Sequence, residues 1–340
     1  MKTKPVASLS LDLDNEWSYL KTHGDASWST LPTYLDLVVP RFLEVVRALD
    51  LEITVFVVGQ DAALDKNASA FKVLGATSHE IGNHSFHHEP WLHTYAPRDA
   101  EREIAEAEDA IVQATGKRPR GFRGPGYSVS PAVLDTLVRR DYTYDCSTLP
   151  TYIGPLARAY YFMTAKLTPE ERERRKALFG GVSDGLRPLR PYCWHLPANR
   201  SILEIPVTTF PVLKIPFHLS YILYLASYSR GLALAYFKAA VSACRAARIG
   251  PSLLLHPLDF LGADDVASLA FFPSMDRGGA WKTELVRDAL AIYAEAFDVV
   301  PVGEHARRLM GGARLSAKPV SKLLRGASSS PASSEDAGVA

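Results

Sequence analysis

Residues 79–90, His-Glu-Ile-Gly-Asn-His-Ser-Phe-His-His-Glu-Pro, place four histidines and two glutamates in twelve positions. His84 and His88 are four residues apart. On one helical turn that spacing puts both imidazoles on one face, within reach of a single ion, and turns His87 elsewhere. Taken alone, the spacing also fits a polar surface loop that binds nothing. Asp12 and Asp14 change the balance. They lie at the end of an apolar run, 6–13, and alternation puts residues i and i+2 of a strand on one face. Two carboxylates converging at a strand end are costly unless a cation or a proton offsets them. One carboxylate with two imidazoles and open positions suits a catalytic zinc-type or iron-type ion, and the second carboxylate is then free to act as a base. Singly, each aspartate also reads as a helix cap or a salt-bridge partner.

Two further positions carry chemistry. Arg123 precedes Gly124-Pro125-Gly126-Tyr127, and a Gly-rich turn exposes backbone N–H groups able to stabilise an oxyanion. A guanidinium there would sit near the base carboxylate; the alternative is a surface arginine before a turn. His256 follows three leucines and is a candidate general acid, or else a satisfied core histidine.

These residues need a scaffold that brings them together. Short β-rich runs at 6–13, 52–59, 79–84, 120–127, 142–147, 201–207, 251–259 and 298–304 alternate with helical spacing at 34–51, 98–116, 130–141 and 280–297. Pro40 is expected to interrupt or kink the first helix. Ser130 and Pro131 form a helix start, and Gly116 a helix end. Repeated βα units imply a parallel sheet with helices outside, doubly wound or closed into a barrel. Asp12 and Asp14, His84 and His88, Arg123, Asp145 and His256 all fall just after strand ends, where active sites of such folds lie. Residues 148–200 interrupt the repeat, with a charged helix expected at 168–181, and read as a lid or partner flap. One catalytic domain is expected over 1–310, with a disordered Ser/Ala/Gly-rich tail over 311–340.

Composition excludes other classes. The chain has 340 residues, 47% apolar and 22% charged, with net charge +1 and no long basic run, so nucleic-acid binding is not expected. Three scattered cysteines argue against a disulfide framework or thiolate site. The N-terminus lacks the apolar core of a signal peptide, and the apolar stretch 215–237 is broken by His218, serines and Arg230. A cytoplasmic protein, peripheral to the membrane at most, is the expectation. The apolar stretch and the insertion offer a surface for a membrane or lipid carrier; core and lid packing is the alternative.

The segments Ser-Leu-Asp-Leu-Asp-Asn-Glu-Trp, His-Glu-Ile-Gly-Asn-His-Ser-Phe-His-His, Arg-Gly-Pro-Gly-Tyr, Tyr-Asp-Cys-Ser and Leu-Leu-Leu-His-Pro together resemble the five ordered motifs of the polysaccharide deacetylase family, the nodulation-deacetylase homology domain. The resemblance spans roughly residues 6–305. It implies a distorted (β/α) barrel with parallel strands, one divalent metal, usually zinc, and amide hydrolysis on an N-acylated sugar. By motif position it makes Asp14, His84 and His88 metal ligands and Asp12 the general base, tuned by Arg123. The backbone amide of Tyr127 or Gly126 becomes an oxyanion donor. His256 becomes the acid, with Asp145 as its partner. Leu13 separates two aspartates that are adjacent in the usual motif, and Gly126 stands where an aromatic residue is common. A nucleotide- or lipid-linked N-acetyl sugar is the expected substrate. A deformylase, an allantoinase-like cyclic-amide hydrolase and a non-catalytic sugar-binding relic are the alternatives on the same fold.

Overall fold

A computed structural model of the chain describes residues 4–154, 182–312 and 315–323. In chain order its strands are β1 (Val6–Leu13), β2 (Thr54–Val57), β3 (Glu80–Asn83), β4 (Gly121–Phe122), β5 (Tyr144–Asp145), β6 (Tyr192–His195), β7 (Ser201–Glu204), β8 (Ser252–Leu255), β9 (Asp298–Val300) and β10 (Ser316–Pro319). They form one sheet ordered β10-β6-β7-β5-β4-β3-β2-β1-β8, with β9 also on β1. Every pairing is parallel except β6 with β7. The sheet curls into a distorted (β/α) barrel. It closes where the chain beyond β7 meets β8: the Thr208 N–H donates to the Ser252 carbonyl (3.0 Å), and the Ser252 N–H donates to Thr208 Oγ1 (2.9 Å).

β1 shows why the site sits inside this barrel. Ala7, Leu9, Leu11 and Leu13 pack outward with Val38, Phe42 and Val45 of the helix Leu35–Ala48. Burying each such leucine stabilises the fold by about 1.5–3 kcal/mol. The alternate residues are polar and turn inward. Ser8 Oγ meets His305 Nδ1 (3.1 Å), and Ser10 and Asp12 both accept from Arg123. Period-2 alternation thus converts one strand into an apolar outer face and a polar ladder along the barrel interior.

Several expectations hold locally. Ser130 caps the helix Pro131–Arg139 by accepting the Val133 N–H, and Gly116 ends the helix Pro97–Thr115 at φ 72°. Pro40, expected to interrupt or kink its helix, lies within the helix Leu35–Ala48, which continues past it. Other expectations do not hold. The strand expected over 298–304 ends at Val300, because Pro301 supplies the carbonyl that accepts the His305 N–H (3.0 Å) and starts the helix Val302–Gly312. The stretch 215–237 falls in two helices, Leu219–Tyr228 and Arg230–Ala246, broken at Ser229. Among the described residues no helix is long and apolar enough to cross a membrane.

The charged helix expected at 168–181 lies outside the described residues. The far end of the insertion returns as β6, antiparallel to β7. Within the expected disordered tail, Ser316–Pro319 pairs with β6 as β10; residues 324–340 lie outside the described residues.

Candidate active site and metal centre

Asp14 follows the end of β1 and is buried. Its Oδ1 has no hydrogen-bond donor, yet it lies 3.2 Å from His84 Nε2 and 3.0 Å from His88 Nε2. One ligand atom from each of Asp14, His84 and His88 falls within 4.8 Å of the others. Burial alone would raise the Asp14 pKa; the two imidazoles more than offset this and hold it well below the usual carboxylate range. His84 Nδ1 lies 2.6 Å from the Arg123 carbonyl, which can only accept, so Nδ1 carries the proton and Nε2 is left for a cation. Burial lowers the His84 pKa, but Asp12 and Asp14 together carry it above the ordinary imidazole value. An orphaned buried carboxylate oxygen facing two imidazole nitrogens, one with a fixed tautomer, is a donor set that fits a divalent cation.

The two imidazoles do not share a helical turn. Residues 84–88 form a loop in which Ser85 (φ 62°) and His88 (φ 52°) are left-handed, and the bend folds His88 back beside His84, with ring centroids 5.0 Å apart. Glu103 holds this loop from the helix Pro97–Thr115. Its Oε2 accepts the N–H groups of Phe86 (3.1 Å) and His87 (3.0 Å), and its Oε1 meets His87 Nδ1 at 2.5 Å. His87 is thereby turned away from the ligand cluster. Trp17 presents an edge-on contact to His88, with centroids 6.5 Å apart, and its Nε1 donates to Asp61 (2.8 Å), which also accepts from Asn15 (2.7 Å). Burial pushes Asp61 up to about 7.

Asp12 stands beside this cluster, with Oδ2 4.0 Å from His84 Nε2. Its Oδ1 accepts from Arg123 at 2.7 Å. Arg123 is fully buried, donates also to Ser10 Oγ (2.9 Å) and the Cys146 carbonyl (3.3 Å), and lies over the Phe56 ring at 4.5 Å. Asp12 raises its already high pKa against the cost of burial. The turn after it has Gly126 at φ 57° and Tyr127 at φ 63°. The Tyr127 N–H donates to the Gly124 carbonyl (2.9 Å), so this amide closes the turn instead of standing free for an oxyanion, while Gly126 is exposed. Burial first, then the charge of Asp12, raises the Tyr127 phenol pKa.

The expected partnership of Asp145 with His256 is not what the structure contains. Asp145, at the end of β5, accepts from Ser147 Oγ (2.6 Å) and faces Glu204 across the β5–β7 register. Burial raises both carboxyls, and the charge of Asp145 raises Glu204 further, well above its usual range. Ser147 Oγ in turn accepts the Gly124 N–H (2.7 Å), and the pair braces the Arg123 turn. His256 is held by Ser220 (Oγ to Nδ1, 3.2 Å) and by Asp259, whose Oδ2 accepts the His256 N–H at 2.8 Å.

Barrel closure therefore brings Asp12, Asp14, His84, His88 and Arg123 into direct contact. His256 follows Leu255, which pairs with Leu11, and so lies level with Asp12 on the next strand. Sequence reading missed Ser10, Glu103, His218, Ser220 and Asp259. Two of these carried a local signal: Ser10 in the alternation of β1, and Asp259 three residues after His256.

The sequence profile described as polysaccharide deacetylase matches residues 25–144, a span that includes His84, His88 and Arg123 but not Asp12, Asp14 or His256. A curated peptidoglycan deacetylase from Helicobacter pylori is 24% identical over 174 residues, covering 51% of this chain and 56% of that protein; the chain thus spans about half the length of this relative. A crystal structure from Mycobacterium smegmatis, provisionally assigned as a polysaccharide deacetylase, matches with a TM-score of 0.60 at 17% identity over 94% of this chain and 95% of that one. That match is one of fold. A family-4 carbohydrate esterase pseudoenzyme from Bacillus anthracis matches at 0.46 and 13% identity, over 90% of this chain and 66% of that one.

Proposed function

We propose that this chain, whose residues 25–144 match the polysaccharide deacetylase profile, hydrolyses the N-acetyl amide of an amino sugar in a glycan, using one divalent cation, zinc, held by Asp14, His84 and His88. The observation that carries this reading is Asp14 Oδ1, buried without a donor and 3.0–3.2 Å from two imidazole nitrogens, beside an Asp12–Arg123 pair at 2.7 Å. A divalent cation in that site supplies Lewis-acid polarisation of the acyl oxygen and of water. The protein supplies the rest. Asp12, oriented by Arg123 through Oδ1, keeps Oδ2 to take a proton from the attacking water. The exposed Gly126 turn offers backbone polarity to the developing oxyanion. His256, one strand away from Asp12, gives a proton to the departing amine nitrogen, without which the amine does not leave.

The test is release of acetate, with an equal amount of free amine, from N-acetylated glucosamine oligomers and from peptidoglycan fragments. Chelation should abolish release and zinc should restore it. Asp12→Asn should keep the cation but lose about 10²–10⁴-fold in turnover, the range for removal of a general base. An Asp12→Asn protein as active as the parent, or turnover indifferent to chelator, would overturn the mechanism.

A further inference from the structure

His256 enters a short turn as soon as β8 ends, with Pro257 first and Asp259 third in it. Asp259 is buried, and both its oxygens accept: Oδ2 from the His256 N–H (2.8 Å), Oδ1 from the Ser220 hydroxyl (2.8 Å). Accepting at both oxygens is the pattern of a carboxylate. Because Ser220 donates its only proton to Asp259, the oxygen it presents to His256 Nδ1, 3.2 Å away, can only accept. The Asp259 N–H is taken by the His256 carbonyl (3.0 Å), which leaves Nδ1 to donate to Ser220 and Nε2 to face a substrate. Lys282, itself buried, donates to the Leu258 carbonyl (3.0 Å) and fixes the turn that carries Asp259. The neighbouring imidazole, His218, has its centroid 5.9 Å from that of His256, and burial pushes its pKa down to about 3, so it stays neutral.

We propose that Ser220 and Asp259 are positioning residues for His256: the serine hydroxyl relays the buried carboxylate to Nδ1, fixing the tautomer and the orientation of the ring. The inference rests on the hydrolytic reading above for the role of His256, though not for its tautomer. When His256 gives its Nε2 proton to the amine nitrogen, the Nδ1 hydrogen stays on the ring and the Ser220 proton stays on its oxygen. Sequence spacing offers no hint of the Ser220 link in this relay, because Ser220 lies 36 residues from His256 on a separate helix.

The experiment compares Ser220→Ala, Ser220→Thr and Asp259→Asn in the full zinc-loaded chain on two substrates. One is an N-acetylglucosamine oligomer, whose amine must be protonated to leave; the other is 4-nitrophenyl acetate, whose phenolate leaves unaided. Ser220→Ala and Asp259→Asn should lower kcat on the amide by about 10–100-fold, the cost of removing the partner that orients a functional imidazole. KM and the ester rate should hold, and Ser220→Thr should restore the amide rate. Nitrogen-15 NMR of His256 should show Nδ1–H in the parent and its loss of dominance in Ser220→Ala. Equal losses on both substrates, or an unchanged His256 tautomer in Ser220→Ala, overturns the relay. A tautomer that shifts as expected in a protein that releases no acetate upholds the relay and sinks the hydrolytic reading instead.

Discussion

Two histidine pairs occupy the open end of this barrel, and they have opposite characters. His84 and His88, centroids 5.0 Å apart, have a carboxylate oxygen of Asp14 between their Nε2 atoms. His218 and His256, centroids 5.9 Å apart, have no such carboxylate; the acid that serves them, Asp259, reaches Nδ1 of His256 only through Ser220. The electrostatics diverge accordingly. Aspartates raise the pKa of His84 despite its burial, whereas burial, then His256 and Arg123, lower that of His218 to about 3. Proximity of two imidazoles does not make a cation site; a negative oxygen between their lone pairs does.

The largest effect that would break this contrast is His84→Ala. It should remove the bound cation, as read by metal content after dialysis, and amide turnover with it, while His256→Ala should leave the metal content unchanged. Next is Glu103→Gln, which loosens the loop that folds His88 back toward His84. Zinc affinity by competition titration should fall about 10–100-fold, whereas His87→Ala, which removes only a side chain turned away from the cluster, should leave zinc affinity unchanged. The smallest effect concerns pH. The folded His218 pKa is about 3, against about 6.5 in an unfolded chain. Its depressed pKa contributes stability that is complete above about pH 6.5 and is lost progressively as pH falls toward 3. His218→Asn should therefore flatten the dependence of the unfolding midpoint on pH between about 6 and 4. An equally steep profile in the variant would place the acid sensitivity elsewhere.

Much of the candidate metal site was legible because its information is local. Asp14 and Asp12 stand out as the ends of a period-2 strand, and His84 and His88 by their spacing. Even here the geometry differs from the helical turn that the spacing suggested: two left-handed residues, Ser85 and His88, fold the two imidazoles together instead. The surroundings of His256 were only half legible. His256 is conspicuous after three leucines, but its partner was sought in Asp145, which the β5–β7 register commits to Glu204 and the Arg123 turn. The Tyr127 amide likewise reads as free in the sequence and closes its own turn in the fold.

The sequence by itself determined the alternation of β1, the identity of the three ligand candidates and the arginine that meets Asp12, since side-chain type and two-residue periodicity are properties of the chain. The tertiary structure alone decided which nitrogen of His84 is free, that Ser220 meets His256, and that Asp145 faces Glu204. Each of those depends on a partner brought from a distant strand or helix by the curvature and closure of the sheet. A hydrogen bond 2.6–3.2 Å long is set by that curvature to within a fraction of an ångström, a precision that spacing along the chain does not encode.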